Sequence, residues 1–416
     1  MEKVDILIKG AVVYPLNRKL DIGIVGNKIA VLQKEISKES AGQVIDADGC
    51  VVSPGFVDSH MHIDKSLTAN EDDTTDLLSA HIRSLKENAR VYSGWSKDAI
   101  VDEIVERTSK VVEKCIVNGT TAIKTHVLIT DDWDMCALDA LEILKRKYQH
   151  SISIYNIVPC IPAYEREWRM YAEQGKIDFI GAYPNCTTNL FTGLPEYDCN
   201  YVPAVDFAFQ LAKEYHLPLD IHCDESDSND ISCFRYIIEK TAESNMAGFV
   251  TCGHVTGLSA RGIDEDDVYD AIANCSKYGV SVTSLTSCNM YLMESGRRGP
   301  TRVEQLMDAG VNVSIASDNI RDPFRPFGNG DLLEEALLTA QVHKFGTREK
   351  LCKLFRMITY NPAKNTLLDN YGVMPGCTAD LVIMKAPDIP EAILSKAKRA
   401  YVLKAGKIVA KDGKML

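Results

Sequence analysis

Pro54-Gly55-Phe56-Val57-Asp58-Ser59-His60-Met61-His62-Ile63-Asp64-Lys65 is the stretch on which the reading of the chain turns. Pro54-Gly55 is a turn signal, and Gly55 to Ser59 is a short strand-like run behind it. The run ends on His60 and His62, two residues apart. In an extended backbone, residues i and i+2 point to the same side. Two imidazoles on one side of a strand end can present nitrogen to one divalent metal. Either histidine taken alone reads equally well as an ordinary core or surface residue. The other ligands must come from elsewhere in the chain.

Before this stretch the sequence is strand-like throughout. Short runs at Val4 to Ile8, Ala11 to Tyr14, Asp21 to Val25 and Lys28 to Leu32 are punctuated by Gly10, Gly26-Asn27 and Asp48-Gly49. The far end returns to the same pattern at Ala379 to Met384, Ala400 to Leu403 and Lys407 to Ala410, with Gly406 marking a hairpin turn. The two ends, 1–54 and 371–416, are expected to build one small sheet domain around a long insert; a separate small domain at each end is the alternative. Between them, eight runs read as strands: Gly55–Ser59, Thr120–Thr125, Ile152–Val158, Phe179–Ala182, Leu217–Ile221, Phe249–Gly253, Val280–Leu285 and Val311–Ser317. Amphipathic stretches separate most of them, at Ile100–Asn118, Trp133–Tyr148, Val205–Tyr215, Ile231–Ser244, Asp266–Lys277 and Thr301–Ala309. Eight such units over 55–370 predict a (β/α)8 TIM barrel, whose chemistry sits at the carboxyl ends of its strands. The rival is a doubly wound open sheet, but no Gly-x-Gly-x-x-Gly turn follows any of the runs.

Composition excludes several classes of partner. With 416 residues, 45% hydrophobic and 25% charged, the chain has ample material for a large core. A net charge of −12 argues against nucleic acid or an anionic membrane as the main partner. No apolar run approaches the roughly 20 residues needed to span a bilayer, and the first residues enter a strand pattern without a signal-peptide core. Thirteen cysteines without a Cys-x-x-Cys pair read as reduced thiols, so a cytoplasmic setting is expected. A homo-oligomer is compatible with all of this.

Polar residues follow the apolar runs where a barrel would use them: His60, His62, His126, His222, His254 and Asp318. Five of the nine histidines fall at strand ends, while His81, His150, His216 and His343 sit in helical or loop contexts and read as surface residues. Three imidazoles and a carboxylate, His60, His62, His222 and Asp318, suit one Zn2+ or Fe2+ with water completing the shell. Glu225, three residues past His222, is placed to shuttle protons, or is simply a first-turn helix acid. His254 is a candidate hydrogen-bond donor to an oxyanion, or else a satisfied core histidine. Asp64 and Lys65 either line the site or form a plain salt bridge.

At this point the residues resemble the metal-dependent amidohydrolase superfamily, in its cytosine deaminase branch. The matching motifs are 54–65, Lys-Thr-His-Val (124–127), Asp-Ile-His-Cys-Asp-Glu (220–225) and Gly-His-Val-Thr (253–256). Arg-Arg-Gly-Pro-Thr-Arg-Val (297–303) and Ser-Asp-Asn-Ile-Arg-Asp-Pro-Phe (317–324) continue the series, and Gly-Cys-Thr-Ala-Asp-Leu-Val-Ile (376–383) resembles the superfamily's return to its β-sandwich. The resemblance implies one metal, iron or zinc, on His60, His62, His222 and Asp318, with Glu225, His254 and Asp318 catalytic. The fourth strand ends Ala182-Tyr183-Pro184-Asn185 without the bridging lysine of binuclear members, which implies a mononuclear site with His126 as a neighbour and not a ligand.

One departure bears on substrate. Cytosine deaminases, and the related enzyme that removes isopropylamine from N-isopropylammelide, carry a substrate-binding glutamine where this chain has Cys160. A thiol lacks the paired donor and acceptor of an amide, a loss on the order of 1–3 kcal/mol for a polar ring edge. Asn319 stands for the second acid of an Asp-Asp pair, and Arg321 and Arg325 enter the same loop, either for an anionic ring substituent or as structural salt bridges. Lys65, Cys160, Asn319 and Phe324 are the expected substrate contacts. The expectation is a hydrolytic deaminase acting on a C–N bond of a pyrimidine- or triazine-like heterocycle other than cytosine. Release of a substituted amine, opening of a cyclic amide, and an inactive barrel scaffold are the alternatives.

Overall fold

The first fifty-four residues are rich in β-branched side chains that supply a shared apolar layer. They form β1 (Val4–Val13), β2 (Arg18–Val25), β3 (Lys28–Gln33), β4 (Ala41–Asp46) and β5 (Val51–Pro54). Ile6, Ile8, Ile22, Ile24, Ile29 and Ile45 are buried in one cluster, which Ala379, Leu381, Ile383 and Leu403 complete from the far end. The computed structural model describes residues 3–69, 80, 90–129, 135–184, 188–189, 194–195, 201–225, 228–293 and 299–416. Of the residues discussed above, His81, Trp133, Asn185, Arg297 and Arg298 lie outside these.

The expected barrel is present. Its strands are β6 (Phe56–Met61), β7 (Thr120–His126), β8 (Ser153–Pro159) and β9 (Phe179–Ala182), then, after a two-residue pair β10 (Thr188–Asn189) and β11 (Leu194–Pro195), β12 (Leu219–Cys223), β13 (Val250–His254), β14 (Ser281–Ser284) and β15 (Val313–Ile315). Neighbours pair in parallel in the order β15-β14-β13-β12-β9-β8-β7-β6. Asp318 closes the ring: its N–H donates to the His60 carbonyl at 2.9 Å, and its carbonyl accepts from His62 N–H at 3.3 Å. Main-chain bonds between prospective ligands thus seal the TIM barrel.

Helices cover the outside with their apolar faces. Lys97–Val117 starts at the cap of Ser96, which accepts from Ala99 N–H, and buries Ile100, Ile104, Val111, Val112 and Ile116. Helices Glu165–Glu173, Thr286–Leu292, Leu332–Val342, Arg348–Arg356, Tyr360–Asn365 and Ile389–Leu394 were not among the stretches read as helical. Several are too short for the 3.6-residue period to register, and four follow the eighth barrel strand.

The chain then returns to the first sheet through β16 (Leu381–Met384), β17 (Arg399–Lys404), β18 (Lys407–Lys411) and β19 (Lys414–Met415). β16 pairs antiparallel with β5, placing Leu381 opposite Pro54, so strands from both ends share one nine-stranded sheet. β5 runs directly into β6, which couples that sheet to the barrel at the strand carrying His60.

The barrel interior below its mouth is polar. Lys124, fully buried, donates to Asp220 Oδ2 at 2.5 Å and to the Asn365 carbonyl at 3.3 Å, with its ammonium 4.5 Å from the Phe179 ring centroid. Ser59, Thr283 and Asn365 all hydrogen-bond to the Ser314 hydroxyl. An ammonium at this depth is tolerated only because a carboxylate faces it.

Candidate metal centre

Period two in β12 turns Asp220 and His222 to the barrel interior and Ile221 and Cys223 to the helices. His222 meets His60 of β6 and His62, one residue past it. His222 Nε2 lies 3.2 Å from His60 Nε2 and 3.2 Å from His62 Nε2. Asp318 Oδ1 stands 3.5 Å from His62 Nε2 and 3.9 Å from His60 Nε2. All four side chains are buried.

These contacts make poor sense among themselves. Three ring nitrogens face one another, so a proton between two of them leaves the third without a complementary partner. Neither Asp318 oxygen has a hydrogen-bond partner, although both are buried. Burial raises the Asp318 carboxyl and, with the charges of neighbouring groups, lowers the His62 and His222 rings, pushing these three towards neutrality. Donor atoms on a tetrahedral ion with bonds of about 2.1 Å stand about 3.4 Å apart, close to the spacings here. The residues therefore fit a divalent cation, which accepts the nitrogen lone pairs and the carboxylate together.

The neighbouring layer orients the ligands. His126 Nε2 is 3.2 Å from His60 Nδ1, and Asp220 Oδ1 lies 3.5 Å from His126 Nε2 and 3.7 Å from His60 Nδ1. Burial drives the His126 ring down to about 3, so it is a neutral imidazole. His60, His126 and His222 also stand close enough together to hold an ion. Gly253 on β13 leaves room for this packing: a Cβ there would lie 2.8 Å from His60 Cε1. Gly253→Ala is expected to displace the His60 ring and cut metal content below half an equivalent with the fold intact by circular dichroism; full occupancy would contradict it.

An open pocket adjoins the cluster, lined by His62, Lys65, Tyr183, His222, Glu225, His254, Asp318, Asn319 and Phe324. Of the residues expected from sequence, His60, His62, His222 and Asp318 come together, and Glu225, His254, Lys65, Asn319 and Phe324 face the same space. The Lys65 ammonium sits 4.1 Å from the Phe324 ring centroid. Cys160 follows β8, its N–H donating to the Gly181 carbonyl at 3.0 Å, and is not among the lining side chains; burial pushes its thiol up to about 12. Tyr183 was not anticipated, yet its ring centroid lies 4.3 Å from that of His222. His150 and His216 are exposed, whereas His343 is half-buried at the end of helix Leu332–Val342.

The loop after β15 is built by residues whose roles sequence left open. Arg325 is buried, donates to the carbonyls of Ser317 at 3.1 Å and Asn319 at 3.4 Å, and pairs with Glu335 at 2.9 Å. It thereby clamps both sides of Asp318, whose φ of 57° is left-handed. The structural reading applies to Arg325. Arg321 is exposed, and its Nε donates to the Gly328 carbonyl at 3.2 Å.

Residues 51–410 match the family model described as the amidohydrolase family. The chain belongs to that family. The amidohydrolase family is metal-dependent, in keeping with the donor set. Among curated relatives, this amidohydrolase is 29% identical over 420 residues to the N-isopropylammelide isopropyl amidohydrolase of Pseudomonas sp. (strain ADP), covering 98% of each chain. Among solved structures, a 5-methylcytosine deaminase from Klebsiella pneumoniae superposes with a TM-score of 0.84 at 24% identity, covering 97% of this chain and 98% of that one. An N-isopropylammelide isopropylaminohydrolase from Burkholderia multivorans ATCC 17616 does so with a TM-score of 0.81 at 24% identity, covering 99% and 100%. These two likenesses establish the fold.

Proposed function

We propose that this amidohydrolase is a hydrolytic deaminase that cleaves a C–N bond at a ring carbon of a small pyrimidine- or triazine-like heterocycle. The observation that carries the reading is the convergence of His60, His62, His222 and Asp318 beside a pocket lined by Glu225 and His254. One Fe2+ or Zn2+ held by those four residues would lower the pKa of a bound water to about 7. Asp318 accepts the proton of the attacking water. Glu225 delivers a proton to the ring nitrogen and recovers one from the hydroxyl of the tetrahedral carbon as it collapses. The proton taken up by Asp318 passes to the departing amine, and His254 donates a hydrogen bond to the new oxygen of the tetrahedral carbon. Lys65, Asn319 and Phe324 line the pocket and would orient the ring, whereas Cys160, expected as a substrate contact, is not among the lining side chains. In this reading 55–370 is the catalytic unit, and 1–54 with 371–416 is a discontinuous β-sandwich.

Release of a substituted amine is the second reading, favoured by the similarity to the isopropylammelide enzyme of Pseudomonas. The test has two parts. Purified protein is expected to carry about one equivalent of iron or zinc; less than about a tenth, with no gain on adding either ion, would end the reading. A panel of pyrimidines, triazines and cyclic ureas, assayed for ammonia and for alkylamine, separates the two leaving groups. No described helix is long and apolar enough to cross a membrane.

A further inference from the structure

Beside the pocket, one side-chain amide sits between the two groups that the proposed reaction uses to place protons. Asn289, on the helix Thr286–Leu292 after β14, is buried at 1% exposure. Its Nδ2 lies 2.9 Å from His254 Nδ1 and 3.3 Å from Glu225 Oε1, and those two atoms are 3.1 Å apart. An amide nitrogen carries two hydrogens and has no lone pair with which to accept, so it can donate to both neighbours at once. Turning the amide over would set its carbonyl oxygen against the carboxylate oxygen. Asn289 Oδ1 has no hydrogen-bond partner, so only the Glu225 and His254 side decides which way the amide stands.

We propose that Asn289 is a positioning residue that holds His254 in the tautomer protonated at Nε2, by donating one N–H to His254 Nδ1 and the other to Glu225. The inference rests on the hydrolytic reading for the roles of His254 and Glu225 and adds the residue that sets them. With Nδ1 accepting, the single proton of the neutral ring resides on Nε2. The ring then serves the pocket as a donor and not as a base, which is what stabilising a developing oxyanion requires. Without Asn289, Glu225 Oε1, 3.1 Å from His254 Nδ1, is left as an acceptor facing that nitrogen, and the proton would move to it.

Nitrogen-15 NMR of the full-length, zinc-loaded protein labelled at histidine tests this directly, with His254→Gln assigning the signal. Wild type is expected to show His254 protonated at Nε2. In Asn289→Leu, close in volume but without donors, the proton is expected on Nδ1. On any heterocycle that wild type hydrolyses, kcat should fall about 10²-fold with KM little changed. A wild-type His254 protonated at Nδ1 overturns the proposal even if Asn289→Leu does not fold, and so does an unchanged tautomer in that variant. The spectrum needs no substrate, so a failure of the hydrolytic reading and a failure of this assignment are separate results.

Discussion

Asp318→Asn is expected to lower kcat/KM by at least about 10³-fold while leaving the metal-free protein as stable as wild type or more so. The two halves of this expectation have different causes. Asparagine keeps the volume of aspartate and tolerates the left-handed φ of 57° at this position. The main-chain bonds to His60 and His62 that close the barrel are untouched. What is lost is an anionic donor facing the ring nitrogens of His60 and His62 and the acceptor for the water's proton. In metal-free protein that carboxylate is buried without a hydrogen-bond partner, so its removal relieves a desolvation cost. In loaded protein the same change weakens a ligand, and the extra stability conferred by the ion shrinks accordingly. Melting curves with and without zinc, beside metal content and turnover, separate the effects. Undiminished turnover, or an equal loss of stability in both states, would show that Asp318 is a structural acid.

Why the sequence could reveal this residue and not others follows from what a one-dimensional pattern records. His60, His222 and His254 each lie in a run of β-branched and small residues, so both the strand and the polar residue near its carboxyl end are written locally. Eight such runs in series leave few architectures available, and the barrel followed. Asn289 gave no comparable signal: it sits on a seven-residue helix, and its partners are 35 and 64 residues away. That strands of both ends share one sheet was legible, but not which of them meet, the pairing of β5 with β16 spanning more than three hundred residues. β4 and β5 carry no alternating pattern by which to be read as strands, since β4 is mostly exposed and β5 is buried throughout. Asp220 was within reach, since it lies two residues before His222 on the same face of β12. Its partner Lys124, on another strand, was not, because an ammonium inside a barrel contradicts the usual preference for apolar residues there.

That pair supports the second large expectation, that Lys124→Met destabilises the protein by about 3–5 kcal/mol. Methionine fills the volume and keeps contact with the Phe179 ring, so packing changes little; the charge is what disappears. Burial by itself would raise the Asp220 carboxyl, but the Lys124 ammonium overrides it, with the His126 and His60 rings, and holds the acid well below the usual carboxylate range. Removing the ammonium leaves an ionised acid inside the barrel with two imidazoles for company, or obliges it to take up a proton. The double change Lys124→Met with Asp220→Asn removes both charges and should recover most of the lost stability. It should not recover the metal site. The Asp220 carboxylate, 3.7 Å from His60 Nδ1, favours a proton on that nitrogen and so leaves Nε2 to bind an ion. The double variant is therefore expected to melt near wild type in the metal-free state yet bind zinc about 10–100-fold more weakly. Denaturation and zinc titration of the two variants distinguish the roles: if the double variant binds zinc like wild type, Asp220 serves only to neutralise Lys124, and if Lys124→Met melts like wild type, the pair contributes nothing to the fold.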